Sequence, residues 1–202
     1  MIRLKPLTPR DFPVLIRWTE TPECLMQWAG PGFSYPLTEA QLAEHLKGAE
    51  GENPLRRCYK AIDSDTGAMV GHIELDRIDR RQRSAVIARV LVDPERRGEG
   101  IGTAMLRAAV RTGFAEWGMH RLELRVFDFN HSAITCYEKI GFRVEGTLRH
   151  ARRVKDEYWN LCIMGLLEHE WREAGDGLSE RSAVGAGGSY GGCRPPGSMA
   201  VR

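Results

Sequence analysis

Apolar and polar residues alternate from Ile2 to Leu7 as in a strand with one buried face. Thr8-Pro9 follows as an N-cap with proline at the first helical position, so a helix should run to about Trp18. Residues 20–37 are too apolar for a solvated loop and too rich in proline and glycine for one long element; they read as a short helix and a packed loop. Thr38 with Gln41 has the spacing of a capping box and opens a helix to about Lys47. Three β-rich runs, 57–63, 69–78 and 84–92, are joined by short polar connections and predict an antiparallel meander. The third is nearly continuously apolar over 85–92, which predicts a central strand buried on both faces, ended by Asp93-Pro94.

A glycine-rich turn then leads into a helix with apolar positions at 101, 105 and 108 and a second stripe at 106, 110, 114 and 117. A strand at 121–126, a helix at 131–140 stopped by Gly141, strands at about 142–153 and 157–166, and a short helix from Leu167 to Ala174 complete the pattern. Residues 1–174 thus read as one α/β domain with a mixed sheet. Residues 175–202 carry eight glycines, four serines and two prolines around a single aromatic, Tyr190, and predict a disordered tail.

Composition narrows the function. A net charge of +2 over 202 residues gives no global attraction to nucleic acid or to an anionic membrane. Five scattered cysteines, most of them in apolar stretches, read as reduced packing residues, and no CxxC or Cys/His pair suggests a metal. No run approaches the roughly 18 apolar residues of a membrane helix, and Met1 to Lys5 is unlike a signal peptide, so a cytoplasmic location is expected.

The candidate chemistry lies where the central strand meets the glycine turn. Val90 to Thr103 places a buried strand, a bend rich in glycine and a helix start in succession, which makes an anion site: main-chain N–H groups converge and the helix N-terminus adds partial positive charge. No Lys-Ser/Thr follows the last glycine, so this is not a Walker loop, and a meander rather than a βαβ unit precedes it, which argues against a dinucleotide fingerprint. A diphosphate held without metal fits better.

Arg97-x-x-Gly100-x-Gly102 resembles the pyrophosphate-binding pattern of the GCN5-related N-acetyltransferases (GNAT), and Asn130 to Phe142 resembles a second segment of that family, with Asn130, Ala133, Tyr137, Lys139, Gly141 and Phe142 at matching positions. The resemblance implies a central mixed sheet of about seven strands, splayed between the fourth and the fifth and flanked by helices. It implies acetyl-CoA as cosubstrate and a primary amine as acceptor, attacked directly in a ternary complex. The pyrophosphate would lie on the turn from Arg97 through Gly98, Glu99, Gly100, Ile101, Gly102 and Thr103. Leu91 and Val92 would offer main-chain groups to the pantetheine, with the Val92 N–H polarising the acetyl carbonyl, and Asn130 would bind the pantetheine arm. Tyr137 would protonate the leaving thiolate.

The amine must lose a proton. Glu74 stands where many relatives keep a glutamate base, but in an alternating strand it also reads as a solvent-face charge; Asp128, Glu123 and His72 are weaker candidates. The end of the domain, Glu145 to Arg149 with Tyr158-Trp159-Asn160 and Met164 to Leu167, resembles the RimJ/RimL-type branch that acetylates ribosomal-protein N-termini. The acceptor would therefore be a peptide N-terminus or a small amine, bound between residues 20–37 and the last two strands, with Trp28, Phe33, Tyr35 and Trp159 as candidate lining. Arg149, Arg152 and Arg153 would repel a polycation if they faced that cleft, and otherwise form an exposed hairpin. Membership implies a homodimer among the assembly options. A CoA-binding module without turnover is the competing reading, and a nucleic-acid binder using Arg80-Arg81-Gln82-Arg83 is the weakest.

Overall fold

The structure, a computed structural model, describes residues 1–175, so the predicted disordered tail falls almost wholly outside the described residues. The elements are β1 (Ile2–Pro6), α1 (Phe12–Trp18), α2 (Pro22–Ala29), α3 (Glu39–Lys47), β2 (Arg57–Asp63), β3 (Met69–Asp79), β4 (Ser84–Val92), α4 (Ile101–Arg111), β5 (Arg121–Phe127), α5 (His131–Ile140), β6 (Arg143–Val154), β7 (Glu157–Leu167) and α6 (Glu168–Glu173). All seven strands form one sheet in the order β1-β2-β3-β4-β5-β7-β6.

Every neighbouring pair is antiparallel except β4 and β5. Those two run parallel and pair only from Ser84 against Arg121 to Ile87 against Leu124. Beyond Ile87 both strands continue, β4 to Val92 and β5 to Phe127, without pairing. The sheet therefore opens into a wedge between its fourth and fifth strands.

That gap overturns one expectation. In β4 only Ala85, Ile87 and Leu91 are buried, while Val86, Ala88, Val90 and Val92 are half-buried. The strand is apolar and central, yet half its length has no in-plane neighbour to cover it.

Two apolar clusters back the sheet. On one face α4 and α5 pack Met105, Leu106, Ala109, Val110 and Tyr137 against Ile73, Leu75, Leu122 and Leu124. On the other, Phe12, Leu15, Trp18, Leu25, Trp28 and Leu42 from α1, α2 and α3 cover Cys58 and Leu91. The close seat of α4 depends on Gly71 in β3, where an added Cβ would stand 2.9 Å from both the Leu91 carbonyl oxygen and the Met105 sulfur. The long helix expected to reach Trp117 ends at Arg111 and passes into a wider turn over Thr112–Glu116. The predicted capping box at Thr38 is half formed: Thr38 Oγ1 accepts from Gln41 N–H, but the Gln41 amide turns to the preceding loop, donating to the Ser34 and Pro36 carbonyls.

Candidate active site

A cleft of about 810 Å³ occupies the wedge and continues under α1 and α2. One end is the glycine turn. Gly98 (φ +88°) and Gly100 (φ +79°) take left-handed conformations that side chains rarely adopt, and Gly100 is the N-cap of α4, so the turn delivers main-chain N–H groups and the positive end of an 11-residue helix together. Arg97, Gly98, Gly100, Ile101, Gly102 and Thr103 all line the cleft.

Glu99 does not line it. Arg96 holds the Glu99 carboxylate at 2.7 Å and Asp63 at 2.8 Å, which neutralises an acid that would otherwise face an incoming phosphate. Of Glu99, the main chain is the part left to offer a ligand, as expected of a turn that binds through its backbone.

The register of β4 decides which main-chain groups reach the gap. Asp93 N–H donates to Val70 O at 3.0 Å, so Asp93 faces β3. Main-chain groups alternate sides along a strand; Leu91 therefore faces β3 as well, in agreement with its carbonyl beside Gly71, while Val92 and Val90 face the open side. Of the two residues predicted to meet the pantetheine, Val92 thus presents its main chain to the gap and Leu91 presents its own to β3.

The second wall is α5. Asn130 caps it, its side-chain oxygen accepting from Ala133 N–H at 3.3 Å, and Gly141 at φ +114° ends it. Tyr137 is buried yet lines the cleft. Burial, with a smaller contribution from neighbouring Cys136, pushes the phenol above its usual range, so it stays protonated and able to donate. Thr103 Oγ1 lies 3.3 Å from Cys136 Sγ and ties the start of α4 to this wall.

Glu74 is neither on a solvent face nor in the cleft: it is 1% exposed. Arg56 donates to His45 Nδ1, which leaves His45 Nε2 to donate to Glu74 at 3.0 Å. His72 Nε2 approaches Glu74 from the other side at 3.1 Å and Arg89 Nη1 at 2.8 Å. Burial alone would raise the carboxyl, but the hydrogen bonds from His45 and His72 and the Arg89 charge outweigh it and hold the group well below the usual carboxylate range. His72 is buried edge-on against Trp28, a residue of the cleft wall, with ring centroids 5.6 Å apart.

His45, Cys58 and Glu74 come close enough to consider a metal, their ligand atoms lying within 4.8 Å. They fit one poorly: Arg56 and Arg89 already occupy His45 and Glu74, and burial pushes the Cys58 thiol up, away from the thiolate a metal needs. The weaker base candidates are engaged elsewhere, Glu123 with Arg121 and Arg125, and Asp128 with Asn160.

Apart from Trp28, the rest of the cleft had no sequence signal of its own. Trp18, Cys24, Gln27 and Trp28 come from α1 and α2, and Arg125, Phe127 and Phe129 from β5 and the turn after it. Of the predicted aromatic lining, Trp28 takes its place, fixed by its indole N–H donating to Arg89 O at 2.9 Å. Phe33 instead stacks behind Trp28, Tyr35 is exposed, and Trp159 lies beneath Phe127 and Phe129. Arg149, Arg152 and Arg153 stay outside the cleft, on the hairpin.

Residues 2–143 match the family described as Acetyltransferase (GNAT) domain. The chain belongs to the GNAT acetyltransferases. Among its GNAT relatives is a spermidine N(1)-acetyltransferase of Escherichia coli (strain K12), 25% identical over 170 residues that cover 84% of this chain and 88% of that one. An L-amino acid N-acetyltransferase of the same organism, AaaT, is 34% identical over 122 residues, covering 60% and 72%. A crystal structure of spermidine N-acetyltransferase from Vibrio cholerae in complex with CoA and spermine shares the fold with a TM-score of 0.74 at 23% identity, over 85% of this chain and 98% of that one. The GNAT fold is as expected, and the activity is acetyl-CoA-dependent N-acetyl transfer to a primary amine. Nothing in these matches singles out the RimJ/RimL-type branch. Among the described residues no helix is long and apolar enough to cross a membrane.

Proposed function

We propose that acetyl-CoA lies in the wedge with its pyrophosphate on the Arg97–Thr103 turn and its pantetheine along the open side of β4, and that the amine attacks from the α1–α2 side. The observation that carries this reading is the interrupted β4–β5 ladder, whose gap gathers the glycine turn, Val92 and Tyr137 into one cleft. Val92 N–H polarises the acetyl carbonyl as negative charge develops on its oxygen. The amine nitrogen bonds to the acetyl carbon, the C–S bond breaks, and the thiolate takes the phenolic proton of Tyr137.

The amine's proton leaves toward His72, whose Nδ1 is buried without a partner among the described residues. Glu74 is ionised and its oxygens are taken, so it holds His72 in place rather than meeting the amine itself. The acceptor is a small amine or a peptide N-terminus.

The test is CoA-thiol release from acetyl-CoA with amines of several classes. Release that depends on an amine supports the reading; tight CoA binding with no release by any amine contradicts it and favours a silent CoA-binding module.

A further inference from the structure

The cleft has two ends of different chemistry. Its lining carries five basic side chains, Arg89, Arg97, Arg125, His131 and Lys139, and no Asp or Glu. Arg97 belongs to the glycine turn, and His131 and Lys139 to α5 beside it, where a phosphate-bearing cofactor needs cations. Arg89 is neutralised by Glu74 at 2.8 Å and Asp76 at 3.6 Å. That leaves Arg125.

Arg125 follows Leu124, the last β5 residue paired to β4, so it stands at the apex of the wedge, at the opposite end from the glycine turn. Strand alternation puts its side chain on the same face as Phe127, which packs with Trp159, Leu161 and Met26 of α2. This is the α2 side, from which the acceptor enters. Arg125 Nε contacts Glu123 at 3.3 Å, and Glu123 is shared with Arg121 at 3.4 Å. Farther along β7, four residues from Ile163 opposite Arg125, the Trp159 indole N–H is buried without an acceptor under Phe127 and Phe129.

We propose that the acceptor is a small primary amine bearing a carboxylate, of the α-amino-acid type, with the carboxylate held by Arg125 and the amine directed toward the acetyl group. A guanidinium pairs with a carboxylate through two parallel N–H donors, a geometry that orients as well as attracts. A polyamine meets the opposite environment: cationic along its length, it would enter a cleft with cations on its walls and no carboxylate to receive its second and third charges. The inference rests on the transferase reading of the cleft and names its acceptor.

The experiment measures thiol release by the full chain with the common L-amino acids, the matching carboxamides, spermidine and a short peptide with a free N-terminus, in wild type, Arg125→Gln and Arg125→Lys. Free acids are expected to exceed their amides by about 10- to 100-fold in kcat/KM, the range of a charge-assisted hydrogen bond. Arg125→Gln should erase that gap through KM with kcat little changed, and Arg125→Lys should restore part of it. An unchanged shift in Tm on adding CoA checks that each variant keeps its fold and its cofactor end. Equal turnover of acids and amides, or a preference for spermidine or peptide that Arg125→Gln leaves untouched, overturns the inference while leaving the transferase standing. Absence of release with every amine defeats both.

Discussion

The two ends of the cleft are built from different materials. The end proposed for the cofactor is main chain: two left-handed glycines, a helix N-terminus and the unpaired side of β4. The end proposed for the acceptor is side chains from α1, α2, β4 and β5, backed by aromatic contacts and by the buried Glu74 network of α3 and β3. A site made of main chain must be written contiguously, because turn, cap and strand follow one another along the chain. One made of side chains gathered by tertiary packing leaves no local pattern.

The largest effect expected falls on the one side chain that acts at the junction of the two ends. Tyr137→Phe should lower kcat by about 10²- to 10⁴-fold, the range for a lost general acid, with CoA affinity measured by calorimetry unchanged. Weakened CoA binding with normal turnover would place Tyr137 in the cofactor end instead.

Glu74→Gln tests the acceptor end as a structural unit. Removing one partner of a buried ionic network costs about 3–5 kcal/mol, so denaturant unfolding should show a loss of that order. Because the folded carboxyl is held below its ordinary value of 4.5, its stabilisation is fully present above that pH and is lost as pH falls through the folded value. The gap between wild type and variant should therefore be flat above about pH 4.5 and narrow below it. A gap that widens on acidification contradicts the ionised network.

The same division explains what could be read from the chain. The turn from Arg97 to Thr103 and the segment from Asn130 to Phe142 were legible because spacing alone sets their geometry. The side on which Leu91 and Val92 present their N–H groups was not, since it depends on the Asp93–Val70 bond across to β3. Burial of Glu74 was hidden because its cover comes from α3, 29 residues earlier along the chain at His45. Of the half-buried apolar residues in β4, Ala88, Val90 and Val92 lie beyond the last rung of the β4–β5 ladder, where no strand covers them. Arg125 looked like one more charge in an alternating strand until the end of the β4–β5 ladder put it at the apex.

Gly100→Val sharpens the contrast with a smaller effect. No atom lies within 4 Å of the added Cβ, so the penalty is purely the left-handed φ, roughly 1–2 kcal/mol. CoA affinity should weaken about tenfold, with acceptor preference unchanged.

Hydrogen exchange of individual β4 amides, with and without CoA, tests the central claim that the cofactor completes the open side of this strand. The Val90 and Val92 amides should exchange quickly alone and slow markedly with CoA, while Leu91, already bonded to β3, stays protected in both. Unchanged exchange at Val90 and Val92 with CoA bound, or a change confined to Leu91, would contradict the account.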